Sequence, residues 1–195
     1  MWKRSAAVVL VAAWGLFWWT HREIDRAPGV LVPEEPMQVA VKGLHPFNHA
    51  GARITPLANF DLRARVLGVK RYHFDPEASL APYDLALGWG RMSDSAVLAD
   101  IDISQGGRFY FWCADQLPIP RTEVITSSSN MHIIPGNDAV RHALGQVRRG
   151  HVVTLSGYLV MATNAKGGVW LSSMTRSDSG NGACELVWVE SLEIE

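Results

Sequence analysis

The sequence predicts an α+β fold: a small antiparallel β-sheet or partly closed barrel with one main helix packed on it, preceded by a single N-terminal transmembrane helix. Three observations predict it. Segments with apolar–polar alternation outnumber segments with a helical period, and they do not alternate with helices as βαβ units would. Only the segment opening at Asn137-Asp138 combines helix-start residues, helical spacing and a closing glycine. The first twenty residues differ in composition from everything after them, holding Trp2, Trp14, Trp18 and Trp19 out of eight tryptophans.

Met1-Trp2-Lys3-Arg4 leads into an uncharged apolar stretch, residues 5–20. Sixteen helical residues at ~1.5 Å rise cover roughly 24 Å, a little less than a ~30 Å hydrocarbon core. Trp2, Trp18 and Trp19 at the interfaces make up the difference. Lys3 and Arg4 place the N-terminus in the cytoplasm by the positive-inside rule. The stretch ends in Phe17-Trp18-Trp19-Thr20, which lacks the small residues that signal cleavage requires. We therefore read residues 1–20 as an uncleaved signal anchor in a bacterial inner membrane, with the rest of the chain in the periplasm.

The whole chain carries 18 basic and 19 acidic side chains, which excludes a strongly basic nucleic-acid binder. A hydrophobic content of 48% with 19% charged residues excludes general disorder. Lys3 and Arg4 are the only charges in the first twenty residues, so residues 21–195 carry 16 − 19 = −3. Such a mildly acidic body is expected to gain no electrostatic help from anionic lipid or nucleic acid.

Residues 21–56 contain Pro28, Pro33, Pro36, Pro46 and Pro56. Such spacing defeats helices and central strands, so the segment reads as an extended linker that lifts a domain off the membrane, with a short edge strand over 37–41. The compact extracytoplasmic domain is expected over 57–195. Residues 60–72 alternate as a half-buried strand with a bulge at Gly68. Residues 84–89 are short and apolar, and Ser93 reads as the N-cap of a brief helix through Ala96, Val97 and Leu98. Residues 107–112 form a strong strand stopped by Pro118 and Pro120. The main helix runs from Asn137-Asp138 through Val147, closed by Arg148-Arg149-Gly150. Residues 151–162 are apolar on both faces and read as a central strand. Two further strands, 167–175 and 183–190, are expected to form a hairpin about the turn residues 177–182, with Trp170 and Trp188 stacked across it.

The chemistry-bearing residues are few. Cys113 and Cys184 are the two cysteines; the sequence leaves open a disulfide or two separate thiols. Cys184 with His132, oriented by Asn130 or Asp178, is the sharpest catalytic arrangement on offer, a nucleophile and its base. Asn130-Met131-His132-Ile133-Ile134-Pro135 runs polar residues into a short apolar strand just before the main helix. Asn130 and His132 are two apart, so they share one face of that strand and can hold a polar ligand between them. His45 and His49 have the spacing of a helical metal pair, but Pro46 stands between them and no third ligand is in sight. There is no phosphate-binding glycine loop, CxxC pair, CxxCH haem site or Gly-x-Ser-x-Gly, so no cofactor is expected.

Three segments together carry a resemblance: 84–94 (DLALGWGRMSD), 130–135 (NMHIIP) and 182–189 (GACELVWV). On these the chain resembles a group of uncharacterised, membrane-anchored proteins from proteobacteria, over roughly 72–194. The resemblance implies an envelope location and a single domain, and it brings no activity with it. Its pattern has a basic residue where this chain has Cys113, which counts against a bridge to Cys184. The expected function is that of a non-enzymatic, membrane-tethered module binding a protein partner or ligand in the cell envelope. The alternative is a Cys/His-dependent hydrolase using Cys184 and His132.

Overall fold

A computed structural model describes residues 22–177, 180 and 183–195. The expected anchor (residues 5–20) and most of the expected 177–182 turn, including Asp178, lie outside the described residues. No helix among the described residues is long and apolar enough to cross a membrane.

The fold is rich in sheet and poor in helix. Its strands are β1 (Met37–Ala40), β2 (Phe47–His49), β3 (Ala52–Arg71), β4 (Tyr83–Gly88), β5 (Asp102–Gly106), β6 (Phe109–Cys113), β7 (Ser128–Pro135), β8 (Val152–Asn164), β9 (Val169–Leu171) and β10 (Glu185–Ile194). Among the described residues, three short α-helices, α1 (Ser95–Leu98), α2 (Arg121–Thr126) and α3 (Asp138–Leu144), and a 3-10 turn at Gly90–Ser93 join them. The pairings β3–β4, β4–β7, β7–β10, β10–β8 and β8–β3 form a closed circuit of five strands. The expected antiparallel sheet is thus corrected at one place, because β7 and β10 run parallel.

Alternation along the strands builds the interior. Phe60, Leu62, Ala64 and Val66 of β3 meet Leu85 and Leu87 of β4, Met131 and Ile133 of β7, and Val187 and Val189 of β10. Val140 and Leu144 of α3 join this cluster. As predicted, Asn137 caps that helix, accepting the Val140 N–H at 3.0 Å. A strand of twenty residues can border several partners only by bending, and β3 shifts register at Pro56/Ala58 and at Val66/Gly68. The second shift is the bulge expected at Gly68. The first accommodates Pro56, which has no N–H to give the ladder.

Several expectations are overturned. Residues 21–56 are not a free linker. Val32 is fully buried, β1 and β2 pair with β3, and β3 begins five residues before Leu57. Prolines block ladder hydrogen bonds at their own positions, yet the residues between them still dock: the Ile24 N–H donates to the Arg149 carbonyl at 2.9 Å. Ser93 does not cap α1; its hydroxyl accepts the N–H groups of Leu31 and Val32, and Asp94 caps the helix instead. α2 was not anticipated, because the prolines before it read only as a strand stop. β9 and β10 do not form a hairpin. β8 spans thirteen residues, long enough to take β9 along 161–163 and β10 along 153–159. Trp188 accordingly packs on Phe47 and His49, and Trp170 packs on His132.

Candidate functional site

The register of β4 against β7 sets Asp84 opposite His132 and Ala86 opposite Asn130. Leu85, Met131 and Ile133 fill the barrel, so Asp84, Asn130 and His132 share the outer face. The β5–β6 hairpin folds over that face and brings in Gln105 and Arg108. Arg108 sits in its turn at φ +69°, a conformation unusual for a residue with a side chain. The connection after β3 supplies Tyr72 and Asp75, β9 supplies Trp170, and Cys184 stands just before β10.

Asp84 is the hub and is fully buried. A carboxylate without partners there would be very costly, so the fold surrounds it with donors. One oxygen lies 2.8 Å from His132 Nδ1 and accepts from Arg108 Nη1 at 3.0 Å; the other accepts from Asn130 Nδ2 at 3.4 Å. Arg108 continues the network. Its Nη2 meets Asp75 at 2.5 Å, and its guanidinium lies 3.8 Å from the Tyr72 ring centroid, a cation–π contact. Burial, and then the neighbouring Asp84 charge, hold the Tyr72 hydroxyl above the usual phenol range. Arg108 Nε is buried and has no hydrogen-bond partner among the described residues.

A carboxylate only accepts, so Nδ1 of His132 is the nitrogen that donates to Asp84, and Nε2 is left for the cleft. His132 lines a cleft of about 820 Å³ together with Arg108, Cys184, Trp170, Leu80 and Leu171. Its size is that of a small-molecule site, apolar walls with a few convergent polar groups. The Trp170 ring lies 4.8 Å from the His132 ring, centroid to centroid, and forms one wall.

Of the residues singled out in the sequence, the structure brings His132 and Cys184 to the same cleft. Asn130 is not on its lining. Its side chain is 1% exposed, accepts from Gln105 Nε2 at 2.8 Å and braces Asp84 from behind. Cys184 is half-buried, its sulfur 4.0 Å from Asn130 Nδ2 and 3.9 Å from the Arg108 carbonyl. Cys113 is exposed and Cys184 is half-buried, and no disulfide joins them. His49 packs edge-on against Trp188, and no three metal-binding side chains gather among the described residues.

Sequence reasoning missed Asp84, Asp75, Tyr72, Gln105 and Arg108. Asp84 did leave a signal: it is the one charge in the otherwise apolar strand Tyr83–Gly88, and a buried acid implies buried donors. Arg108, brought from a distant hairpin turn, left none. A second buried acid, Glu185, faces the barrel interior beside Val187. Ser129 donates to it and Arg176 pairs with it, while the Arg176 guanidinium lies 5.3 Å over Phe60. Compared with protein-family models, curated proteins and solved structures, the chain matches none.

Proposed function

We propose that the chain is a membrane-tethered, extracytoplasmic module that binds a small ligand of the cell envelope in the cleft lined by His132 and Trp170. The observation that carries this reading is His132, fixed by a buried carboxylate and lining a cleft of ligand size. The ligand implied has a polar group for His132 Nε2 and an apolar part that lies along Trp170, Leu80 and Leu171. The lining also carries Glu77, and Asp75 and Asp84 stand behind it, a poor environment for a polyanion such as nucleic acid. The tether is read from the dibasic start and apolar run of residues 1–20.

Connectivity supports the same reading by analogy. Five barrel strands in this circuit, with α3 between the third and fourth, have the connectivity of OB-type Greek-key barrels. Those barrels bind their ligands over the second and third strands, between the loops that follow the first and fourth. His132 of β7, one of the corresponding strands, lines the cleft, together with Pro76, Glu77 and Leu80 from the loop after β3 and Val169, Trp170 and Leu171 from beyond β8.

The test is photo-crosslinking in intact cells. A benzophenone amino acid at Val169, which is 62% exposed on the cleft wall, should give one discrete adduct that His132→Ala abolishes. No adduct, or one indifferent to His132, would overturn the reading.

One observation favours a second reading, thiol chemistry: Cys184 and a carboxylate-oriented histidine line one cleft. In a Cys113→Ser background, the iodoacetamide rate at Cys184 decides. A low-pH inflection that disappears in His132→Asn supports an activated thiol, and a single titration near that of a free cysteine excludes it.

A further inference from the structure

A groove of about 570 Å³ shares no lining residue with the ligand cleft. Lys70, Arg71, Arg148 and Arg149 line it, and no acidic side chain is among its described lining residues. Its floor is apolar, with Val69, Leu144 and Val147. The body's charge of −3 therefore conceals a face of the opposite sign.

That face is also where the chain arrives from its N-terminal side. The Ile24 N–H donates to the Arg149 carbonyl at 2.9 Å, and Glu23 pairs with the Arg149 guanidinium at 3.1 Å. Arg26 Nε donates to the Gly150 carbonyl at 3.0 Å. The approach is close enough to require glycine. Gly150 has φ +88°, and a Cβ there would lie 2.0 Å from the Ile24 carbonyl oxygen. Arg149 thus belongs both to the groove and to the docked segment.

The apolar run ends at Thr20, and four residues span at most ~14 Å even when fully extended. We infer that the Lys70–Arg71–Arg148–Arg149 groove lies against the bilayer and binds the phosphates of anionic lipid headgroups, so that the ligand cleft is held in a fixed orientation to the membrane. The inference rests on the tether reading above. It replaces a long spacer with a body seated directly on the surface, within reach of a field that fades over ~8 Å at physiological ionic strength. Glu23 is the carboxylate that faces Arg149 from the docked segment.

Lysine reactivity tests it, because the chain has only Lys3, Lys42, Lys70 and Lys166. The full-length protein is reconstituted in nanodiscs of phosphatidylcholine, with and without phosphatidylglycerol, and acylated with a membrane-impermeant ester. Lys70, Lys42 and Lys166 are all exposed, so each has a measurable rate. Lys70 should react several-fold more slowly in the anionic discs, while Lys42 and Lys166 react equally in both. Arg71→Gln with Arg148→Gln should erase the difference. Equal Lys70 rates in the two compositions, with the protein in the discs, overturn headgroup binding and leave the tether standing. A chain that enters neither kind of disc overturns the tether and this inference with it.

Discussion

At His132 two roles meet in one ring, and the two nitrogens separate them. Nδ1 belongs to the fold through Asp84, and Nε2 belongs to the cleft. An asparagine can place an amide N–H near the position of Nδ1 and has nothing to replace Nε2. His132→Asn should therefore cost under ~1 kcal/mol of stability and still abolish crosslinking at Val169, whereas His132→Ala should cost about 1–3 kcal/mol by leaving Asp84 short of a partner. Asp84→Ala should be worse, about 3–5 kcal/mol, because it takes the buried acceptor from His132, Asn130 and Arg108 together and leaves Arg108 with Asp75 as its remaining carboxylate partner. Urea unfolding of the three variants ranks them; a stable Asp84→Ala protein would remove the hub from the account. Another histidine gives a pH dependence. Burial first and Arg148 second hold His151 below its ordinary value, and its Nδ1 accepts the Arg148 N–H at 3.1 Å. A lowered folded pKa means the unfolded chain binds the proton more readily. The stabilisation is then complete above the ordinary histidine value of ~6.5 and is lost as pH falls through it toward the folded value. Melting temperature should fall as pH drops from about 7.5 to below 6, and His151→Gln should flatten that slope.

Among the elements, what the sequence made legible was local. β7 and α3 were readable because polar residues, an apolar run, a proline and an Asn-Asp cap follow one another within eighteen residues of chain, 127–144. The bulge at Gly68 was readable from a break in alternation. The partners of β9 and β10 were not, since adjacent strands separated by turn residues favour a hairpin locally, and only the length of β8 reverses that choice. The same limit hid half of the site. His132 announced itself through its neighbours in sequence, but the carboxylate that orients it comes from β4, forty-eight residues earlier. One contact between elements makes a sharp prediction. β8 crosses β10 so closely at Gly157 that a Cβ would lie 1.9 Å from the Trp188 carbonyl oxygen, which is backbone and cannot swing aside. Gly157→Ala should destabilise the protein by about 3 kcal/mol, visible as a large drop in the denaturation midpoint, whereas alanine at the solvent-facing Gly106 should shift it little. Equal midpoints would mean that β8 and β10 do not approach as described.

Taken as a whole molecule, the barrel is a closed ring whose pairings are mostly remote in sequence. Ala52 pairs with Asn164, and Met131 with Glu185. Such a topology defers its reward, since long loops must close before the contacts that repay them form. Refolding in the range of milliseconds to seconds is therefore expected, and microsecond refolding by stopped-flow tryptophan fluorescence would contradict the circuit. The parallel β7–β10 pair sets the order of events. A chain synthesised from its N-terminus presents β7 and β8 with bare edges until residue 194 has been delivered, because β10 is the strand that both of them lack. For that interval Ser129 has no glutamate to meet, the apolar interior stands open along one seam, and two unpaired edges are free to recruit the strands of other chains. The last strand to be made thus acts as the molecule's closing stave, and a chaperone able to shield one sheet edge would protect it at its most vulnerable stage.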